Sequence, residues 1–118
     1  MHRIKNGQEY FVFPGGGVEK GETLEEAIKR EIREEFCLEI KLDQLLFKIN
    51  NHGEDEFYFL VTNFSGRPQI GGPEKEIMNE NNQYHPFWIS LNELPKLSNL
   101  YPKQAKQKVE ELIKKSFN

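Results

Sequence analysis

The chain has 118 residues, 36% hydrophobic, 12% aromatic and 30% charged, with a mean hydropathy of −0.73. That length fits a single domain over 1–118, and the longest unbroken apolar run, Phe57 to Val61, is far short of the ~20 residues that span a membrane. Sixteen basic and nineteen acidic residues leave a formal charge of −3, so no overall basic field draws the chain to nucleic acid, while nine Phe, four Tyr and one Trp argue against disorder.

Residues 1–6 lack the apolar middle of a secretory signal, and Cys37 is the single cysteine, so no intrachain disulfide is expected. Both features suit a reducing cytoplasm. Gln8 to Phe13 reads as an aromatic-rich strand that stops at Pro14-Gly15-Gly16-Gly17. Next comes the clearest helix signal. Thr23 and Glu26 form a capping box, and Leu24, Ala27, Ile28, Ile32 and Phe36 recur at helical spacing, which predicts a helix over about Leu24 to Phe36. Leu42 to Ile49 and Glu56 to Phe64 read as strands joined by a polar turn from Asn50 to Asp55. Ser65 to Tyr84 is polar and reads as a long loop. Phe87 to Leu91 is expected to be a further strand. Pro102 opens a last helix with an apolar stripe of Ala105, Val109, Leu112 and Ile113. The pattern is α/β.

At 100° per residue, the first helix breaks its own amphipathic pattern. Glu26, Lys29, Arg30 and Arg33 fall on the solvent face, but Glu31, Glu34 and Glu35 fall on the apolar side. Two carboxylates ~6 Å apart in a partly buried setting repel by about 3 kcal/mol at an effective dielectric near 20. Three inward acids therefore call for shifted protonation or a cation, and oxygen-only ligands select a hard ion such as Mg²⁺. His2, His52 and His85 are scattered without ligand spacing.

Gly15, Gly16 and Gly17 permit close backbone approach to a ligand. Two phosphate-binding patterns fail here. Gly16 and Gly21 have Walker spacing, but Glu22-Thr23 stands where Lys-Ser/Thr is required, and the third glycine of the dinucleotide fingerprint is missing.

Residues 16–38 resemble the Nudix box: Gly16, five residues, Glu22, seven residues, then Arg30-Glu31-Ile32-Arg33-Glu34-Glu35, with Leu38 closing the motif. Pro14, Val18-Glu19 and Trp88-Ile89-Ser90-Leu91 are also similar to that family. The resemblance implies a Nudix-type α/β/α sandwich with a mixed sheet and Mg²⁺- or Mn²⁺-dependent hydrolysis of a nucleoside diphosphate linked to another group. It further implies metal ligation by Glu31, Glu34, Glu35 and the Gly16 carbonyl, catalytic roles for Arg30 and Glu34, and a cofactor-binding loop at Gly15, Gly16 and Gly17. Glu80, in the long loop before the Phe87 strand, is the candidate for an extra base. The implied partner is a nucleotide-type small molecule, with no membrane or nucleic-acid partner expected and a homodimer left open. A catalytically weak nucleotide- or partner-binding module is the alternative. Two departures stand out. Cys37 replaces the motif's glycine where a left-handed residue is usual, at a cost on the order of 1 kcal/mol. Members also carry a long strand before the segment that begins here at Met1, of which Arg3-Ile4 would be the tail, so an N-terminal truncation is expected.

Overall fold

A computed structural model describes residues 1–14, 17–71, 75 and 77–117. The capping box forms as expected: Glu26 N–H donates to Thr23 Oγ1 at 3.2 Å, and Thr23 N–H donates to Glu26 Oε1 at 3.0 Å. These two bonds satisfy donors that the first helical turn leaves open and start α1, Leu24–Phe36. Ala27, Ile32 and Phe36 are buried. Ile32 and Phe36 form a cluster with Leu38, against which Met1, Ile28 and Ile40 pack. Fully burying side chains of this kind stabilises by about 1.5–3 kcal/mol each.

Two sheets flank this cluster. β1 (His2–Lys5), β2 (Gln8–Val12), β5 (Asn82–His85) and β6 (Leu100–Tyr101) form a four-stranded sheet in the order β5-β1-β2-β6. β1 runs antiparallel to both neighbours, and β2 and β6 are parallel, so the sheet is mixed. β3 (Glu39–Asn51) and β4 (Glu54–Ser65) form a long antiparallel ribbon. α1 packs on β3, while α2 (Lys103–Phe117) packs on β6 and reaches β3. Ala105 of α2 is wholly buried, with Leu94 and Leu100 among its buried companions in the molecule. No helix among the described residues is long and apolar enough to cross a membrane.

Three expectations are corrected. The turn expected over Asn50 to Asp55 is tighter, because Asn50 pairs with Asp55 and Asn51 with Glu54, leaving His52 and Gly53 at φ of 53° and 88°. A two-residue turn with both φ positive matches the twist of its strands. The loop expected over Ser65 to Tyr84 ends in a strand, β5, paired in register with β1. The strand expected at Phe87 to Leu91 is absent. β5 stops at His85 because Pro86 has no N–H to continue a ladder, and Phe87, Trp88 and Leu91 stay exposed. Trp88 is 63% exposed and rests on Phe64, with ring centroids 5.3 Å apart, so it is not a core residue.

The C-terminus of α1 is closed from outside. Cys37 adopts φ 58° and ψ 34° and donates its N–H to Arg33 O, the left-handed cap expected for it. The carbonyls of Glu35 and Phe36 accept from Gly71 N–H at 3.1 Å and Gln69 N–H at 3.0 Å. Gly71 is required by contact: a Cβ there would sit 2.6 Å from Glu34 O and 3.1 Å from Cys37 Sγ. We expect Gly71→Ala to destabilise the chain by about 1–3 kcal/mol through this overlap. Cys37→Gly should stabilise it by about 1 kcal/mol by relieving the left-handed conformation. Urea unfolding followed by circular dichroism measures both.

Candidate active site

The segment that leads into α1 and the outer face of the helix meet at one guanidinium. Arg30 Nε donates to Glu22 Oε2 at 2.7 Å and Nη2 to Glu22 Oε1 at 3.0 Å, a bidentate pair. Nη2 also donates to the Gly17 carbonyl at 3.1 Å, which ties the glycine loop to the helix. Nη1 donates to Glu31 Oε1 at 3.0 Å and Glu34 Oε2 at 3.3 Å, and lies 3.5 Å from Glu19 Oε1. Four carboxylates therefore share a single positive charge. The loop is braced from the other side as well, since Glu19 N–H donates to Glu22 Oε1 at 2.8 Å and Glu22 N–H to Glu19 O at 3.1 Å. The hydrogen bonds from Arg30 hold the Glu22 carboxyl below its ordinary value of 4.5, and the Glu22 carboxylate in turn raises the Arg30 guanidinium.

The helix wheel needs two corrections. Arg30 is not on a solvent face, because its side chain is only 18% exposed beneath the loop. Glu34 does not point inward, and its side chain is 52% exposed, whereas Glu31 is at 14%. The reason is the loop: residues 17–22 fold back over one flank of α1 and bury the residues beneath them. Glu35 is half-buried and lines a cavity of about 160 Å³ together with Met1, Arg3, Phe13, Phe36 and Tyr84. Arg3 and Tyr84 belong to β1 and β5, so this cavity joins the mixed sheet to the end of α1.

Gly17 is exposed and contributes its carbonyl to Arg30, while Gly15 and Gly16 lie outside the described residues. Glu80 is exposed in the turn before β5. Its carbonyl accepts from Gln83 Nε2, and no contact among the described residues joins it to the α1 acids. Two residues escaped sequence reasoning in these roles. Glu22 is the bidentate partner of Arg30, and its eight-residue separation from Arg30 is not a helical spacing. Arg3 was legible only as part of a strand, although strict alternation across β1 and β2 sets it opposite Tyr10.

Among the described residues, no group of three or more acidic, His or Cys side chains converges closely enough to hold a cation. Glu31 and Glu34 are instead turned to Arg30. The donor chemistry nevertheless fits a hard divalent ion. The side chains are carboxylates, they lie on adjacent turns of one helix, and their charge exceeds that of Arg30.

The NUDIX domain family model matches residues 1–110, and the chain belongs to the Nudix family. Over 94 residues it is 36% identical to an ADP-ribose pyrophosphatase of Methanocaldococcus jannaschii, covering 75% of this chain and 50% of that protein. The chain thus spans about half the length of the curated relative it matches. Its fold is similar to that of MutT from Aliivibrio salmonicida and Vibrio cholerae, with a TM-score of 0.70, 24% identity and coverage of 97% of this chain and 84% of that one. It is also similar to the ORF135 protein of E. coli, with a TM-score of 0.68, 23% identity and coverage of 90% and 71%. The architecture is the Nudix α/β sandwich, in which α1 and α2 pack with the mixed sheet and the long ribbon.

A carboxyl with a lowered folded pKa contributes stability that is present above its unfolded value and lost as pH falls through the folded one. Stability contributed by Glu22 should therefore be complete at neutral pH and disappear below pH 4.5. Glu22→Gln should be less stable than the parent at pH 7, with the gap closing as the solution is acidified. Denaturant midpoints at pH 7 and at successively lower pH values check this.

Proposed function

We propose that the chain hydrolyses a nucleoside diphosphate linked to another group, in a Mg²⁺- or Mn²⁺-dependent reaction. The observation that carries this reading is the surplus of carboxylates around Arg30, set on the helix that ends at the Glu35 cavity. Glu31, Glu34 and Glu35 would hold the metal together with the Gly16 carbonyl. When bound, a divalent ion neutralises charge on bridging phosphate oxygens and acidifies an attacking water.

The chain's own residues supply the rest. Arg30 fixes the rotamers of Glu31 and Glu34 and pins the glycine loop through Gly17, as metal-binding carboxylates require from their neighbours. Glu34, half exposed, would accept a proton from water at the rim, and Glu80, exposed in the turn before β5, is the second candidate for that role. The half-buried Glu35 lines a cavity walled in part by Phe13, Phe36 and Tyr84, into which one end of a bound nucleotide would reach. The Methanocaldococcus relative is named for ADP-ribose, which makes ADP-ribose the first compound to test.

Turnover of ADP-ribose or another nucleoside diphosphate derivative should require Mg²⁺ or Mn²⁺ and vanish in excess chelator, with products resolved by mass spectrometry. Full activity in chelator would overturn the metal assignment. Glu34→Gln keeps shape and helix propensity, and should lower kcat by ~100-fold or more, the scale of losing one electrostatic contact to a transition state. The metal-free variant should be as stable as the parent or more so, because repulsion among the acids falls. Glu26→Gln, a change at the exposed cap, should leave kcat nearly unchanged. A Glu34→Gln variant that is destabilised without metal yet turns over normally would make Glu34 a structural carboxylate and overturn its catalytic assignment.

A further inference from the structure

The most buried ionic side chain among the described residues belongs to Arg3, at 8% exposure. Its contacts set it apart from the other arginines with described ion pairs. Arg30 and Arg33 each meet a glutamate side-on through two nitrogens. Arg3 has no carboxylate within ion-pair distance among the described residues. Nη1 donates to Asn82 Oδ1 at 3.0 Å and to the Gln83 carbonyl at 2.7 Å, which uses both of its hydrogens. The guanidinium carbon lies 3.6 Å above the Tyr84 ring and 5.8 Å from that of Tyr10, so the plane is clamped between β5 and β2. The Nε–Nη2 edge, with three hydrogens, has no acceptor among the described residues, and Arg3 lines the Glu35 cavity.

A buried cation without an anion is costly, and removing water from unpaired N–H donors adds to that cost. A fixed guanidinium edge with parallel donors matches a phosphoryl group better than any neutral acceptor. We infer that Arg3 is a substrate-contacting residue that receives a phosphoryl group of the bound nucleotide in this cavity, on the sheet side, opposite the α1 acids. The inference rests on the nucleotide reading given above and adds the residue that holds a phosphate independently of any metal. The diphosphate then lies between Arg3 on one wall and the acidic helix on the other, and Tyr84 keeps the guanidinium from turning away.

The test is binding in excess chelator, where the α1 acids have no metal to offer. Titration calorimetry compares AMP, adenosine and inorganic phosphate on the intact chain. AMP should bind ~10-fold or more tightly than adenosine, the range for hydrogen bonds to a charged partner, with a preference that falls as salt is added. Inorganic phosphate should bind more weakly than AMP. Arg3→Gln should bring AMP down to the level of adenosine and leave adenosine unchanged. Equal binding of AMP and adenosine by the parent chain, or no binding of either, overturns the inference whether or not the variant folds. Inorganic phosphate binding as tightly as AMP overturns the assignment to a nucleotide phosphate. An Arg3→Gln variant that folds and weakens both ligands equally shows a purely structural arginine and also overturns it. Loss of metal-dependent turnover in the parent with the AMP preference intact would instead count against the hydrolase reading alone.

Discussion

One guanidinium organises this molecule. Arg30 sits where the glycine loop crosses α1, and its donors reach a loop carbonyl, the acid that precedes the helix and two acids on the helix itself. Without that cation, Glu19, Glu22, Glu31 and Glu34 would repel one another across the crossing, and Gly17 would lose the hydrogen bond that holds its carbonyl to the helix. The arrangement is stable and frustrated together. Arg30 is saturated, yet the acids around it outnumber its charge. A site of this kind gains from further positive charge, which is why the surplus bears on chemistry as well as on folding.

The two ends of α1 are treated in opposite ways. At the N-terminus the helix closes itself through Thr23 and Glu26, a device written into adjacent residues. At the C-terminus the carbonyls of Glu35 and Phe36 are met by backbone donors from Gln69 and Gly71, more than thirty residues on. The second device needs Gly71, since any side chain there would strike the helix. Arg33 and Glu39 add a bidentate pair across the exit from the helix, fixing the start of β3. Position and orientation of Glu34 and Glu35 thus depend on contacts from both directions along the chain.

What was legible in the sequence follows the same division. The capping box, the apolar spacing of α1 and the left-handed residue at Cys37 are local, and each could be read from neighbours. The two long strands are also readable, though a turn of six polar residues, Asn50 to Asp55, hides the pairing of Asn50 with Asp55. The strand expected at Phe87 to Leu91 is absent because Pro86 stops the ladder at His85, whatever the apolar content beyond it. A helical wheel treats a helix as if it met one apolar wall and one solvent. Here a loop covers one flank, so Arg30 was placed outside and Glu34 inside, the reverse of their exposures. Arg3 was missed because its meaning lies in β5, eighty residues away, and no local spacing encodes that meeting.

The bonds from Gln69 and Gly71 have a mechanical consequence. In sequence these residues belong to the connection between β4 and β5, but their amide protons are held by the helix. Local opening of residues 66–71 therefore exposes the last turn of α1 and must be paid in helix free energy, so this stretch behaves as part of the helix's cooperative unit. Exchange of those amides with solvent, and cutting of the backbone there by a protease, report on the fraying of α1 far more than on the looseness of a loop.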